Sequence, residues 1–166
     1  MSTKNLYSTE AKEKIKKMAE SIDYAMMATD LKSQPFHAVP MSTKEVDDDG
    51  NIWFLSNKNS THNQHIEKEN KTQLIYADKG NFEFLSIYGR AHISTDRSKI
   101  KELYGSGDDA WVDGEDDPNI TAIKVVPEDA HYWDTKNGKV LSLLKMAQGA
   151  ITGNEPDLGV QGDLKV

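Results

Sequence analysis

The chain has 166 residues, a formal net charge of -7 and no cysteine. That length predicts one domain with a sizeable core, and the acidic balance argues against nucleic acid or an anionic membrane as partners, since both require a basic surface. The lack of cysteine excludes disulfides, thiolate metal sites and a cysteine nucleophile. Without an apolar N-terminal segment or a membrane-length run, we expect a cytoplasmic protein.

Hydrophobic spacing predicts a first helix and then a series of short strands. The apolar stripe of that helix follows Ser8, its expected cap, and comprises Ala11, Ile15, Met18 and Ile22. The predicted strands cover residues 24–29, 36–42, 51–56, 72–78, 82–95, 120–126 and 130–134. Pro40 cannot donate to a strand ladder and predicts an edge or a bulge, and Gly89 predicts a bend or bulge inside a long strand.

Further helices are predicted between and after these strands. One covers residues 61–70, a short one follows Asp96, and a closing apolar stripe runs from Val140 to Ile151. Short sequential strands without regular intervening helices favour an antiparallel sheet closed into a small barrel or split barrel. We expect a single domain over residues 1–153 and a polar, mobile tail over residues 154–166.

Residues 53–66 carry the pattern most typical of a site. The segment begins like the end of a buried strand and continues with helical spacing. The polar turn between the two parts comprises Ser56, Asn57, Lys58, Asn59, Ser60, Thr61 and His62. A strand that leads directly into a helix directs free backbone N–H groups and the positive end of the helix dipole at the turn, and these attract phosphate. The alternative is an ordinary turn capped by Ser60.

Other chemical patterns are absent or incomplete. The sequence has no dinucleotide-binding glycine motif, no phosphate-binding Walker loop and no serine-hydrolase elbow. His62 and His65 lie three residues apart on a predicted helix, but no third ligand is suitably spaced, so we predict no metal site. Trp111 lies in an acidic loop and is expected to dock on its own core, on a ligand or on a second subunit. No catalytic acid or base can be assigned.

Several short motifs occur in a specific order along nearly the whole chain. They are Pro40-Met41-Ser42-Thr43, the segment 51–60, Ile87-Tyr88-Gly89-Arg90-Ala91, Asp116-Asp117-Pro118-Asn119-Ile120, Tyr132-Trp133-Asp134 with Gly138-Lys139-Val140, and Thr152-Gly153. Together they resemble the pyridoxamine-phosphate-oxidase-like FMN-binding split barrels, within them the bacterial general stress protein branch. The fold that the resemblance implies is mainly β with flanking helices, a six- to seven-stranded antiparallel split β-barrel.

The resemblance also implies a homodimer with FMN bound in two clefts at the subunit interface. The strand that ends in Pro40-Met41 would lie along the flavin, and the turn after the strand at 51–56 would hold the ribityl chain and phosphate. The implied cofactor-binding residues are Val39, Pro40, Met41, Phe54, Leu55, Ser56, Asn57, Lys58, Ser60, Thr61 and His62, together with Trp111 and Trp133 from the second subunit.

Two residues depart from the family pattern. Val39 stands where an arginine is common, and His62 stands where a lysine is common. Each loss of a charge-assisted hydrogen bond costs about 1.5–3 kcal/mol. We therefore expect a weak hold on phosphate unless Lys58 or Arg90 substitutes.

The expected function is that of an FMN-binding, stress-related oxidoreductase in which the flavin does the redox work. FAD or another flavin is an alternative cofactor. Two other functions stay open. One is a non-catalytic protein that binds or stores flavin or another anionic cofactor, and the other is a dimeric interaction protein whose cofactor site is weakened.

Overall fold

A computed structural model of the chain describes residues 1–110, 113–135 and 159–166. The described residues form ten strands and three α-helices. In chain order the elements are β1 (Ser2–Thr3), β2 (Leu6–Tyr7), α1 (Ser8–Ile22), β3 (Tyr24–Thr29), β4 (His37–Ser42), β5 (Glu45–Val46), β6 (Ile52–Asn57), α2 (Thr61–Lys68), β7 (Lys71–Asp78), β8 (Glu83–Ser94), α3 (Arg97–Leu103), a 3-10 turn (Ser106–Ala110), β9 (Ile120–Thr135) and β10 (Gly159–Lys165).

The strands form one highly connected sheet in the order β1-β10-β9-β8-β7-β3-β4. One edge of the long strand β9 is shared, because β6 pairs with its first half and β10 with its second half. All pairings in this sheet are antiparallel except those of β1 and β2 with β10. This arrangement confirms the predicted mainly β split barrel, with more strands than the six or seven expected.

Helix α1 packs its apolar stripe into the core. Ala11, Ile15 and Met18 are buried in the same cluster as the β6 residue Phe54 and the β7 residue Tyr76. The predicted cap at Ser8 is wrong, since Ser8 is the first helical residue and Tyr7 occupies the cap position without a side-chain hydrogen bond. Among the described residues, no helix combines the length and apolar character needed to cross a membrane.

Glycine and proline occupy the strand positions that the sequence indicates. Pro40 lies on β4, an edge of the sheet order. Gly89 lies where the pairing of β8 with β9 changes register, because Tyr88 faces Asp129 while Gly89 faces Pro127. A β-bulge at this point confirms the interpretation of Gly89.

Two parts of the predicted element order are corrected. The two strands expected at residues 120–126 and 130–134 are one continuous strand, β9, because the bulge absorbs the irregularity around Pro127. The mobile tail expected over residues 154–166 is wrong for Gly159–Lys165, which form β10 and pair with β9. The predicted closing helix at 140–151 lies outside the described residues.

Candidate functional site

A cavity of about 500 Å³ lies between the ends of β4 and β6, the start of α2 and the 3-10 turn. Several sequence-predicted site residues line it, namely Pro40, Met41, Leu55, Ser56, Asn57 and His62. Other lining residues were missed by the sequence interpretation: Tyr24, Ser42, Lys44, Gly107, Asp108 and Ile120. Ser42 adjoins the Pro-Met motif and could have been found from it, whereas Lys44 and Asp108 meet only through the fold.

Ser60 caps α2 at the end of the turn that follows β6, as predicted for an ordinary turn that binds no ligand. The Ser60 Oγ accepts a hydrogen bond from the Asn63 N–H at 3.3 Å. The N–H groups of Lys58, Asn59 and Ser60 donate within the chain. The candidate donors to an anion are therefore the N–H groups of Thr61 and His62, at the start of α2.

A closed ring of buried side-chain hydrogen bonds lies beneath the cavity. The Ser56 Oγ donates to the Asn63 Oδ1 at 2.9 Å, the Asn63 Nδ2 donates to the Thr121 Oγ1 at 2.9 Å, and the two hydroxyl oxygens lie 2.8 Å apart. Each member can donate once to the next, so every side-chain polar atom of the ring has at least one hydrogen-bond partner. The ring joins β6, α2 and β9 and fixes the start of α2 against the sheet.

Not every predicted site residue lies at the cavity. The Phe54 side chain is fully buried in the core, so only its backbone can reach a bound molecule. Val39 is half-buried and packs against the core cluster. Lys58 and Thr61 are exposed and Ser60 is half-buried, and none of these three lines the cavity.

Of the two tryptophans expected to reach the flavin from a second subunit, the structure describes one, Trp133. Trp111 lies outside the described residues. Trp133 lies on β9 with its ring centroid 4.5 Å from that of His131, away from the cavity of its own chain. It lines a separate apolar hollow of about 470 Å³ together with Ile75 and Phe84.

The two basic residues in the described lining of the cavity, Lys44 and His62, contribute little net positive charge. The Lys44 Nζ lies 2.5 Å from the Asp108 Oδ1, and both side chains are mostly buried. Burial, followed by the neighbouring His37 and His65, lowers the pKa of His62, so its neutral form is favoured. Arg90 does not line the cavity and pairs instead with Glu128 on the surface. Within the described lining, no cation is left without a compensating charge.

The fold and the cavity are those of a split barrel with a cleft between β4, β6 and α2. The sequence model of the family described as "Pyridoxamine 5'-phosphate oxidase like" matches residues 10–157, and the chain belongs to this family. A solved structure described as general stress protein 26, from a Jannaschia species, has a TM-score of 0.76 and 24% identity, and the alignment covers 95% of this chain and 98% of that chain. These matches confirm the family and fold that the sequence motifs indicate.

Two further relatives are similar in sequence. A solved structure described as the general stress FMN/FAD binding protein of Xanthomonas citri is 26% identical, with a TM-score of 0.65 over 76% of this chain and 90% of that chain. Protein bli-3 of Neurospora crassa is 25% identical over 111 residues, which are 61% of this chain and 53% of that protein. The chain thus spans about half the length of this curated relative.

Proposed function

We propose that this chain binds FMN in the cavity between β4, β6 and α2, and that it does so as a homodimer with oxidoreductase activity. The observation that carries the proposal is the cavity itself, which joins an apolar wall to the N-terminus of α2. Its volume of about 500 Å³ falls within the range of small-molecule and cofactor pockets, about 300–1,000 Å³. The relative from Xanthomonas citri, described as an FMN/FAD binding protein, supports a flavin as the occupant.

The lining residues fit the three parts of FMN. Tyr24, Pro40 and Leu55 offer flat or apolar surface to an isoalloxazine ring. Asn57 is exposed at the end of β6 and carries amide donors for the hydroxyls of a ribityl chain. The start of α2 and His62 lie where they can receive a phosphate. FAD or another flavin would share the ring contacts.

When bound, the flavin supplies the redox chemistry. The protein would then hold the isoalloxazine ring against β4 and β6, exclude water from the buried face of the ring, and bind the phosphate end of the cofactor. The described lining includes Lys44, Asp108 and His62 as ionisable groups beside Tyr24, and the first two already form an ion pair. We assign no acid–base catalyst among them.

A homodimer is supported by an exposed apolar row that begins at the cavity. The strand register aligns Pro40 with Met26 and Met26 with Ile75, and Pro40 lines the cavity. The exposed fractions of Met26, Ile75 and Phe84 are 43%, 49% and 39%. Contiguous exposed apolar surface of this kind marks interaction sites. We propose that a second copy covers this row, which would bring its Trp133 toward the interface and the flavin.

The direct test is titration of the purified protein with FMN, followed by flavin and tryptophan fluorescence. A saturable change is expected, together with a flavin absorption band that stays with the protein through desalting. No saturable change in either signal would contradict the proposal. Anaerobic addition of NADH or NADPH then separates an oxidoreductase, whose flavin becomes reduced, from a protein that stores flavin without turnover.

The charge-neutral cavity favours a second candidate, a dimeric interaction protein with a weakened cofactor site. Lys44 is held by Asp108, and burial lowers the pKa of His62, which favours its neutral form. A protein of this kind would dimerise without retaining flavin. The two candidates therefore differ in flavin retention and agree in subunit number.

The Lys44–Asp108 pair is expected to set the affinity for FMN. Asp108→Asn removes a negative charge from the cavity lining and frees Lys44. The Kd for FMN, an anion, should therefore fall about tenfold, which is the scale of one charge-assisted hydrogen bond. Lys44→Met leaves the Asp108 carboxylate without its cation, and the Kd should rise about tenfold.

A matched control is the exposed pair of Lys101 and Asp116, 2.9 Å apart and outside the cavity lining. Asp116→Asn should leave the Kd for FMN unchanged, because exposed ion pairs of this kind contribute little. If Asp108→Asn and Lys44→Met shift the Kd in the same direction, the pair does not act through charge on the bound flavin.

A further inference from the structure

Three histidines meet beside the cavity from two elements. His37 lies at the start of β4, and His62 and His65 lie one turn apart on α2. The ring centroids of His37 and His65 are 5.3 Å apart and the rings are nearly perpendicular. The His65 Nδ1 lies 3.1 Å from the Thr29 Oγ1. This group of imidazoles, the histidine cluster, is continuous with the cavity because His62 also lines it.

Two ring nitrogens of the histidine cluster lack a hydrogen-bond partner. Among the side chains that the structure describes, the buried nitrogen and oxygen atoms without a partner are the His37 Nδ1 and the His62 Nε2. Leaving a buried polar group unsatisfied typically costs about 1–3 kcal/mol. Unsatisfied groups next to a cavity are often explained by a ligand or a functional role.

The surroundings of His62 oppose a positive charge in the free protein. Burial lowers the pKa of His62, and the adjacent His37 and His65 lower it further. The other ionisable groups that line the cavity with His62 are Tyr24, Lys44 and Asp108, of which the last two neutralise each other. An anion that enters the cavity therefore meets an imidazole whose lowered pKa favours the neutral form and whose ring can still accept a proton.

A bound phosphate would reverse this balance. A phosphate monoester carries about 1.5 to 2 negative charges near pH 7. A negative charge near an imidazole favours its protonated form, so binding would raise the pKa of His62. Binding that raises the pKa of a group is accompanied by proton uptake. The affinity then increases as the pH falls through the raised pKa, and it levels off below the pKa of the free protein.

We propose that the histidine cluster is a proton-gated anion subsite, in which His62 takes up one proton from solvent when the phosphate end of the flavin binds. The proposal rests on the proposed function, because it takes the phosphate of FMN as the anion. No bond other than the N–H bond of the imidazolium forms in this step. FMN binding is therefore coupled to pH, whereas binding of the isoalloxazine ring alone is not.

The test compares FMN with riboflavin, which lacks the phosphate. Between about pH 8 and about pH 6.5, within the range where histidine titrates, the Kd for FMN should fall about tenfold while the Kd for riboflavin stays constant. The second pKa of a phosphate monoester is about 6, so half of the phosphate has lost one charge at that pH, and the comparison ends above it. Calorimetry in two buffers of different ionisation enthalpy should detect proton uptake with FMN and none with riboflavin.

Variants separate His62 from the other histidines. His62→Gln keeps a polar side chain without a titratable ring and should remove both the pH dependence and the proton uptake. His62→Lys should bind FMN with an affinity that is independent of pH in this range, since its charge is permanent. His92→Gln, at an exposed position of β8 outside the histidine cluster, is the control and should retain the wild-type pH dependence.

The outcomes distinguish this inference from the proposed function. If FMN binds with a Kd that does not change with pH, or if His62→Gln keeps the pH dependence, the inference is overturned and the flavin site stands. If neither flavin binds, the proposed function fails, and an NMR titration of the His62 ring with inorganic phosphate decides the inference. A rise in the pKa of His62 on addition of phosphate then supports an anion subsite, and an unchanged pKa overturns it.

Discussion

Replacing Asn63 with alanine is expected to lower the free energy of unfolding by about 3 kcal/mol, because it leaves two buried hydroxyls without their amide partner. Asn63 is only 1% exposed and is the sole amide in the ring that it forms with Ser56 and Thr121. The truncation also leaves a void among β6, α2 and β9. Urea denaturation of wild type and variant measures the difference directly.

The neighbouring residue on α2 provides the control for Asn63→Ala. Gln64 is exposed, and its side-chain amide donates a 3.3 Å hydrogen bond to the Asn59 carbonyl on the surface. Gln64→Ala should change the stability by no more than about 0.5 kcal/mol. Since the ring fixes the start of α2, we also expect Asn63→Ala to weaken FMN binding. Equal stability of the two variants would mean that the ring is not a structural anchor.

The second large effect is expected at Gly89, the β8 residue that faces the bulge in β9. A Cβ atom added at Gly89 would lie 2.2 Å from the Val126 carbonyl oxygen and 3.1 Å from the Pro127 Cα, both in the backbone of β9. Neither atom can move without disturbing the pairing of β8 with β9. Gly89→Ala should therefore destabilise the fold by about 3 kcal/mol, at the upper end of typical overpacking costs. The midpoint of urea unfolding would shift accordingly.

Gly105 is the matched position for this substitution. A Cβ atom there would have its nearest neighbour, the Asp108 Oδ2, at 3.9 Å, which is an ordinary contact. Gly105→Ala should leave the unfolding midpoint close to that of wild type. A Gly89→Ala variant as stable as Gly105→Ala would show that the bulge can relax, and the close approach of β8 to β9 would then not require glycine.

Local patterns in the sequence predict much of this fold because they have local causes. The α1 stripe of Ala11, Ile15 and Met18 follows from helical periodicity, and all three residues are buried. Asp96 is an N-cap residue whose side chain accepts from the Ser98 N–H at 2.9 Å. Pro40 is excluded from a central strand by its missing N–H, and it lies on the edge strand β4.

The errors come from partners that are distant in sequence. β10 looks like a polar tail because Val160 and Leu164 are its only apolar side chains, yet its backbone pairs with β1, β2 and β9. A Cβ at Gly162 would lie 2.0 Å from the Lys4 carbonyl oxygen, so the glycine reflects a close approach of the N-terminal segment that no local pattern reveals.

The candidate site also combines features with local sequence signals and features that depend on residues distant in the chain. The turn after β6 was indicated by its polar residues and helical continuation, and Ser56, Asn57 and His62 line the cavity. The Lys44–Asp108 pair and the contact of His37 with His65 join segments far apart in the chain. The sequence therefore indicates where an anion could bind, whereas the charge balance of the cavity requires the structure.

Native mass spectrometry of the purified protein with added FMN is the decisive measurement, because one spectrum reports both subunit number and bound cofactor. We expect a dimer that carries up to two FMN molecules and loses them at high collision energy without first losing a subunit. A monomer, or a dimer that remains free of flavin in excess FMN, would rule out a flavin-binding homodimer.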